Sequence, residues 1–233
     1  MNDYNWYHGI LWTGFFIDLS FLIACLFLCT RTYQPKYIKA FIILGISNLP
    51  FAFATILKFY GVDQKSESLN LIITIIRICE PIFEISFFLY LFFQFIPSPL
   101  VKKLTLIPIS LFAIIYFISL VPELPKKNDL PSAFKFASFL ILNLTIITLC
   151  FIYFKKLFEV QAIQNLSEQP SFWIVTGIFF YFTTEIVTDI FTSYFIFKRM
   201  QEQALGIFSA NYFSELIEYS LFIKAFLCKT KPS

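Results

Sequence analysis

Acidic side chains are the residues of this sequence with the clearest capacity for chemistry, because seven of them lie inside apolar runs. Near the centre of a bilayer an ionisable side chain costs at least ~2.5–3.5 kcal/mol, so it normally faces the interior of a helix bundle. Seven carboxylates beside one arginine cannot all be ionised there. Some must be protonated, hydrated or neutralised by a bound cation. The carboxylates are Asp18, Glu80, Glu84, Glu185, Asp189, Glu215 and Glu218, and the arginine is Arg77.

The spacing of these residues predicts that they share helix faces. Residues three or four positions apart lie on one face of a helix. Three apolar segments carry a polar stripe of this kind, and the least costly place for the stripes is toward each other, around one cavity. The stripes are Arg77, Glu80 and Glu84; Tyr181, Glu185, Thr188, Asp189 and Thr192; and Asn211, Glu215 and Glu218.

Depth along the helices indicates the same cavity. With the N-terminus outside and ~1.5 Å of rise per residue, most of these charges fall in one layer, from the outer third to the middle of the membrane. We therefore predict one acidic cavity that opens outward. Its predicted ligand- or ion-binding residues are Asp18, Arg77, Glu80, Glu84, Tyr181, Glu185, Asp189, Asn211, Glu215 and Glu218.

Two further residues bear on this cavity. Pro81 removes a helical hydrogen bond and displaces the carbonyl of Arg77, which is then a further ligand for a cation. Whether the cavity holds a metal ion stays open at this point. Lys224 lies about 180° around its helix from Glu215, close to the cytoplasmic end, so we expect its ammonium group to snorkel to the membrane surface.

The composition predicts a membrane protein. Apolar residues make up 58% of the chain and charged residues 14%, against typical values of ~45–50% and ~25%. Phenylalanine alone occurs 33 times. We therefore predict an all-α fold, a polytopic transmembrane bundle of about seven helices, with 1–233 as a single transmembrane domain. The seven predicted segments are 9–29, 40–57, 70–95, 104–121, 134–154, 172–197 and 206–227.

The order of basic residues predicts the orientation. The N-terminal stretch before the first segment carries no lysine or arginine, and Arg31, Lys36 and Lys39 follow that segment. By the positive-inside rule the N-terminus lies outside and the C-terminus in the cytoplasm. The first segment also lacks a basic n-region and an Ala-x-Ala cleavage site, so we expect it to be a retained helix.

Several classes of function are disfavoured. The net charge of +3 comes with no basic face for nucleic acid. The five cysteines form no CxxC pair, and the one histidine, His8, precedes the first segment. No nucleophile motif and no Asp-rich prenyltransferase motif is present. The chain therefore gives no candidate catalytic residue, and no cofactor or protein partner can be named.

One resemblance is to microbial rhodopsins. Arg77-Ile-Cys-Glu80-Pro-Ile-Phe-Glu84 in a third helix, with Lys224 in a seventh, resembles their arginine and carboxylate that face a retinal Schiff-base lysine. The resemblance implies a retinal-binding protein. The sequence departs from that family at two positions. Pro81 stands where the family has a tryptophan, and Ser220 stands where the family has a carboxylate four residues before the lysine.

A broader resemblance is to a group of uncharacterised seven-helix bacterial inner-membrane proteins. It rests on Glu84 in an aromatic-rich third helix, on Pro170-Ser-Phe-Trp173-Ile-Val-Thr-Gly177, and on Phe226-Leu-Cys228-Lys229. The resemblance covers most of the chain and implies a place in the bacterial inner membrane. It implies no activity.

Four functions remain open at this point. The first is a receptor or sensor, or a small transporter, whose cavity takes a cation, a proton or a cationic small molecule. The second is an intramembrane enzyme that uses paired carboxylates. The third is a retinal-binding protein. The fourth is a structural accessory subunit, in which the polar residues only hold helices together.

Overall fold

The structure is a computed structural model. It describes the backbone of residues 3–29, 35–60, 67–96, 98–99, 101, 105–106, 109–112, 114, 130–159, 166–198 and 200–228. The side chains of Arg77, Glu80 and Pro81 lie outside the described residues, although the backbone of all three is helical.

Every element in the described ranges is helical, which confirms the predicted all-α class. The long helices are α1 (Asp3–Leu28), α2 (Pro35–Phe59), α3 (Glu67–Phe95), α4 (Leu130–Glu159), α5 (Pro170–Phe197) and α6 (Gln201–Leu227), and a 3₁₀ turn at Leu166–Glu168 precedes α5. Helices α4, α5 and α6 correspond to the fifth, sixth and seventh predicted segments. Short helical stretches between 99 and 114 fall at the start of the fourth.

Proline marks where two of these helices begin. Pro35 is the first residue of α2 and Pro170 the first residue of α5. Proline suits the first helical turn, because its missing N–H has no partner there in any helix. Helix α2 also contains Pro50, and it continues through that residue to Phe59.

Three helical stretches are long and apolar enough to cross a membrane. They are Tyr37–Leu57, Phe139–Glu159 and Pro170–Phe195, with mean hydropathies of 2.0, 1.7 and 1.5. A spanning helix needs roughly 20 mostly apolar residues. Two shorter apolar stretches are Trp12–Leu28 and Ile82–Phe95. The arrangement of seven spans stays a prediction.

The outer surface carries apolar stripes along the helices. On α4, Leu144, Phe151 and Phe158 lie seven residues apart on one face and are 50%, 59% and 66% exposed. On α2, Ile43 and Ile46 are exposed in the same way. A helix on the surface of a soluble protein has polar residues on its outward face. These outward faces therefore suit a lipid environment.

Exposed hydroxyl groups on the helices bond to their own backbone. Ser86, Thr148 and Ser220 each donate a hydrogen bond to the carbonyl four residues earlier, with oxygen–oxygen distances of 2.7 Å. Such bonds satisfy a hydroxyl without water. They fit a surface that meets hydrocarbon, where an unsatisfied polar group costs several kcal/mol.

An aromatic core fills the half of the bundle where α2 and α5 begin and α3 and α6 end. Phe41 of α2 lies 4.4 Å from Phe222 and 5.4 Å from Phe226 of α6, measured between ring centroids. Phe87 of α3 lies 5.2 Å from Phe41. Because these side chains are buried, the core forms a packed floor beneath the polar half of the bundle.

Helices α5 and α6 pack closely against each other at Gly177, beside the aromatic core. A Cβ atom at Gly177 would lie 3.1 Å from Cε1 of Phe222 and 3.3 Å from the carbonyl oxygen of Glu218. The missing side chain lets the two backbones approach.

Candidate ligand-binding cavity

A cavity of about 290 Å³ lies above the aromatic core, between α1, α2, α3, α5 and α6. It occupies the middle of the bundle and the half where α1 and α6 begin and α2 and α5 end. Eight of the ten predicted site residues line it: Asp18, Glu84, Tyr181, Glu185, Asp189, Asn211, Glu215 and Glu218. The other two, Arg77 and Glu80, have side chains outside the described residues. That these residues bind a ligand stays a prediction.

One polar network joins α1, α2 and α6 at the cavity wall. The hydroxyl of Tyr219 donates a 2.7 Å hydrogen bond to Oδ1 of Asp18. Asn48 donates from Nδ2 to the same Tyr219 hydroxyl at 3.4 Å. The hydroxyl of Tyr219 therefore links a carboxyl group of α1 to an amide of α2 at the cavity wall.

A second network joins α4, α5 and α6. Asn143 of α4 donates from Nδ2 to Oε2 of Glu185 at 3.0 Å. The hydroxyl of Thr188 lies within hydrogen-bonding distance of Oδ1 of Asn211 on α6, and 3.0 Å from the backbone oxygen of Glu185. The carboxyl group of Glu185 is thus held by a neutral amide donor.

Glu218 differs from Asp18 and Glu185. Its side chain is 3% exposed, and Oε1 is buried without a hydrogen-bond partner. A buried polar atom without a partner costs about 1–3 kcal/mol, and more if the group is charged. Glu218 also lines the cavity, so this incompletely satisfied carboxyl group lies beside the space that a ligand would occupy.

The cavity wall is strongly acidic. Six carboxyl side chains line it, and no lysine or arginine occurs among the described lining residues. An ion pair joins Lys155 and Glu159 at 3.8 Å on the exposed surface of α4, away from the cavity. A cleft lined by one sign of charge with apolar walls raises the local concentration of the opposite charge.

Aromatic rings share the wall with the carboxyl groups. They are Phe15, Phe51, Phe88, Tyr181, Tyr212 and Tyr219. The faces of such rings attract cations. Tyr212 packs directly against Gly14 of α1, where the ring leaves no room for a Cβ atom. In the part of the chain that the structure describes, no three His, Cys, Asp or Glu side chains are grouped to hold a single metal ion.

Lys224 lies at the other end of α6. Its side chain is exposed and its Nζ lies 5.9 Å from the ring centroid of Trp173. The indole of Trp173 in turn donates a 2.9 Å hydrogen bond to the carbonyl oxygen of Ser167. The ammonium group of Lys224 is therefore placed outside the cavity wall.

The sequence did not identify every helix that forms the cavity. We expected the first, third, sixth and seventh segments to surround it, but α2 also lines it, with Asn48 and Thr55. Helix α4 contributes Asn143 through its bond to Glu185. These residues are uncharged, so a search for ionisable side chains passed over them. The signal available was the one side-chain amide in each of these helices, Asn48 in α2 and Asn143 in α4.

Comparison with known proteins adds no assignment: no protein-family model, no curated protein and no solved structure matches the chain.

Proposed function

We propose that this chain is a multi-pass membrane protein that binds a cation, a proton or a small cationic molecule in its acidic cavity, as a receptor or sensor or as a small transporter. One observation carries the proposal: six carboxyl side chains surround a cavity of about 290 Å³ with no lysine or arginine among the described lining residues. Polar residues that only join helices need no such excess of acids.

We further propose seven spans in a bacterial inner membrane, with the N-terminus outside and the C-terminus in the cytoplasm. Three candidate spans and the apolar outward faces support membrane insertion. The cavity lies in the middle of the bundle and the half where α1 begins. An outside N-terminus therefore makes the cavity face outward.

The packed floor favours a receptor or sensor over a transporter. Phe41, Phe222 and Phe226 are fully buried between the cavity and the far end of the bundle. A transporter would have to open this layer to release its ligand, whereas a receptor needs only a cavity that one side can reach.

A purely structural role is the second candidate, and specific contacts favour it. The bonds from Asn143 to Glu185 and from Tyr219 to Asp18 join different helices. Interhelical hydrogen bonds in membranes stabilise bundles without any ligand. The two roles differ in one respect: only a binding cavity responds to added cations.

The test is thermal unfolding of the purified protein in detergent, measured across pH and across a series of added cations. A cation that binds only the folded state raises the melting temperature. Interacting carboxyl groups titrate as a set, so the melting temperature should also depend on pH. Glu84→Gln and Glu185→Gln should weaken both dependences.

Glu159→Gln is the matched control, because it neutralises an exposed carboxylate on α4 outside the cavity. It should keep the response of the parent protein to pH and to cations. If the melting temperature of the parent depends neither on pH nor on added cations, and the cavity variants melt like the parent, the structural role is correct and the binding proposal is wrong.

A further inference from the structure

We infer that the ligand of this cavity is a small organic ammonium ion with N–H groups, which donates a hydrogen bond to the carboxyl group of Glu218 while its carbon groups contact the aromatic wall. This inference rests on the proposed function, because it requires that the cavity bind a cation. It names the chemical class of that cation.

The size of the cavity is the first reason. A water molecule takes up about 30 Å³ in the liquid, so 290 Å³ equals the space of about ten waters. Pockets for small organic ligands begin at about 300 Å³. A bare metal ion or a proton fills a small part of this space, whereas a small organic cation fills much more of it.

The unpartnered oxygen of Glu218 is the second reason. Asp18 and Glu185 already accept hydrogen bonds from Tyr219 and Asn143. Oε1 of Glu218 is buried and has no partner. An ammonium group supplies both a positive charge and an N–H donor to the carboxyl group of Glu218, and bonds between charged partners are about twice as strong as neutral ones.

The mixed character of the wall is the third reason. Ca²⁺ takes 6–8 oxygen ligands that converge on one point. Within the described residues no three acidic side chains converge in this way. The carboxyl groups are spread over α1, α3, α5 and α6 and alternate with rings such as Phe88 and Tyr181. A wall of this kind suits a cation with apolar groups, because ring faces attract organic cations.

The experiment compares three probes by thermal shift and by isothermal titration on the full chain in detergent. Benzylammonium chloride is the probe for the inference. Benzyl alcohol has nearly the same shape without the charge, and sodium chloride at equal ionic strength supplies charge without the carbon groups. Benzylammonium should raise the melting temperature in a saturable way, and the other two should not.

Glu218→Gln should weaken the binding of benzylammonium by about tenfold or more, as expected for loss of a charged hydrogen-bond acceptor. Glu159→Gln, on the surface of α4, should bind it like the parent. If Glu218→Gln does not fold, Glu218→Asp takes its place, since it keeps the charge and withdraws the oxygen from the cavity. It should also weaken the binding.

The outcomes separate this inference from the proposed function. If sodium or calcium ions stabilise the protein as well as benzylammonium does, the cavity binds cations and the inference of an organic ligand is wrong. If benzyl alcohol equals benzylammonium, or the Glu218 variants bind like the parent, the inference is also wrong. If no cation and no change of pH has any effect, the proposed function itself is wrong.

Discussion

Tyr219 and Asp18 form a 2.7 Å hydrogen bond that ties α6 to α1 at the wall of the cavity. The ring of Tyr219 stacks on Phe21 of α1, with 4.0 Å between centroids and 11° between planes. Asn48 of α2 donates to the same hydroxyl group at 3.4 Å. One tyrosine thus connects three helices and orients a buried carboxyl group.

Tyr219→Phe removes this donor and keeps the stacked ring. A buried carboxyl group that loses its partner costs about 1–3 kcal/mol, so the free energy of unfolding should fall by that amount. Reversible unfolding in detergent measures the change. Tyr153→Phe is the matched control, since Tyr153 donates a 2.8 Å bond to Ser171 outside the cavity wall.

The control should lower the stability by about 0.5–1.5 kcal/mol, the usual net contribution of a neutral hydrogen bond. It should leave the response to added cations unchanged, whereas Tyr219→Phe should alter that response. Equal stability of Tyr219→Phe and the parent would show that the bond to Asp18 contributes nothing.

Gly177→Ala tests the close contact of α5 and α6. The added Cβ would lie 3.1 Å from Cε1 of Phe222 and 3.3 Å from the backbone oxygen of Glu218, so the helices must separate slightly. Overpacking of this kind typically costs about 1–3 kcal/mol. We expect a lower melting temperature and, because Glu218 moves with its helix, weaker binding of the cation.

Gly206→Ala is the matched control for that change. A Cβ atom at Gly206 meets nothing within 4 Å, and alanine is a better helix former than glycine by about 1 kcal/mol. This variant should be as stable as the parent or slightly more stable. If Gly177→Ala behaves in the same way, the contact between α5 and α6 is not tight.

Helix spacing is what made much of the cavity predictable from the sequence. Glu185 and Asp189 are four residues apart, as are Asn211 and Glu215, and a helix brings such pairs onto one face. Because burying an ionisable side chain in an apolar medium costs free energy, the acidic faces are predicted to meet one another. The sequence cannot reveal which neutral residues meet those faces.

Asn143 illustrates that limit. Its amide bonds Glu185 from α4, a helix that has no acidic residue in its apolar interior. Nothing in local periodicity links Asn143 to Glu185, because the contact depends on how α4 and α5 pack. The contribution of Asn48 on α2 to the cavity wall was not predicted, for the same reason.

Reporter fusions at Ser233 test the predicted orientation. The predicted orientation rests on the positions of the basic residues. The stretch before the first segment has none, and Arg31, Lys36 and Lys39 follow that segment. A fluorescent reporter that matures only in the cytoplasm should be active at this position. Activity of an alkaline phosphatase fusion there, which requires the periplasm, would overturn the orientation and with it the outward-facing cavity.

Arg77→Ala should act in the opposite sense to the glutamine variants. Arg77 is the one arginine within the predicted apolar segments, and it stands two helical turns before Glu84. Its loss leaves the carboxyl groups without that counter-charge, so stability should fall and depend more strongly on cations. Lys224→Ala, at an exposed lysine, is the control. Identical cation dependence in the two variants would exclude Arg77 from the cluster.

The most direct test of the central claim is a high-resolution experimental map of the cavity, from protein prepared with a saturating cation identified by thermal shift. The binding account predicts density for that cation among the carboxyl groups, within hydrogen-bonding distance of the carboxyl group of Glu218. A cavity that holds only water, with Asp18 and Glu185 bonded to Tyr219 and Asn143 as they are here, would contradict it.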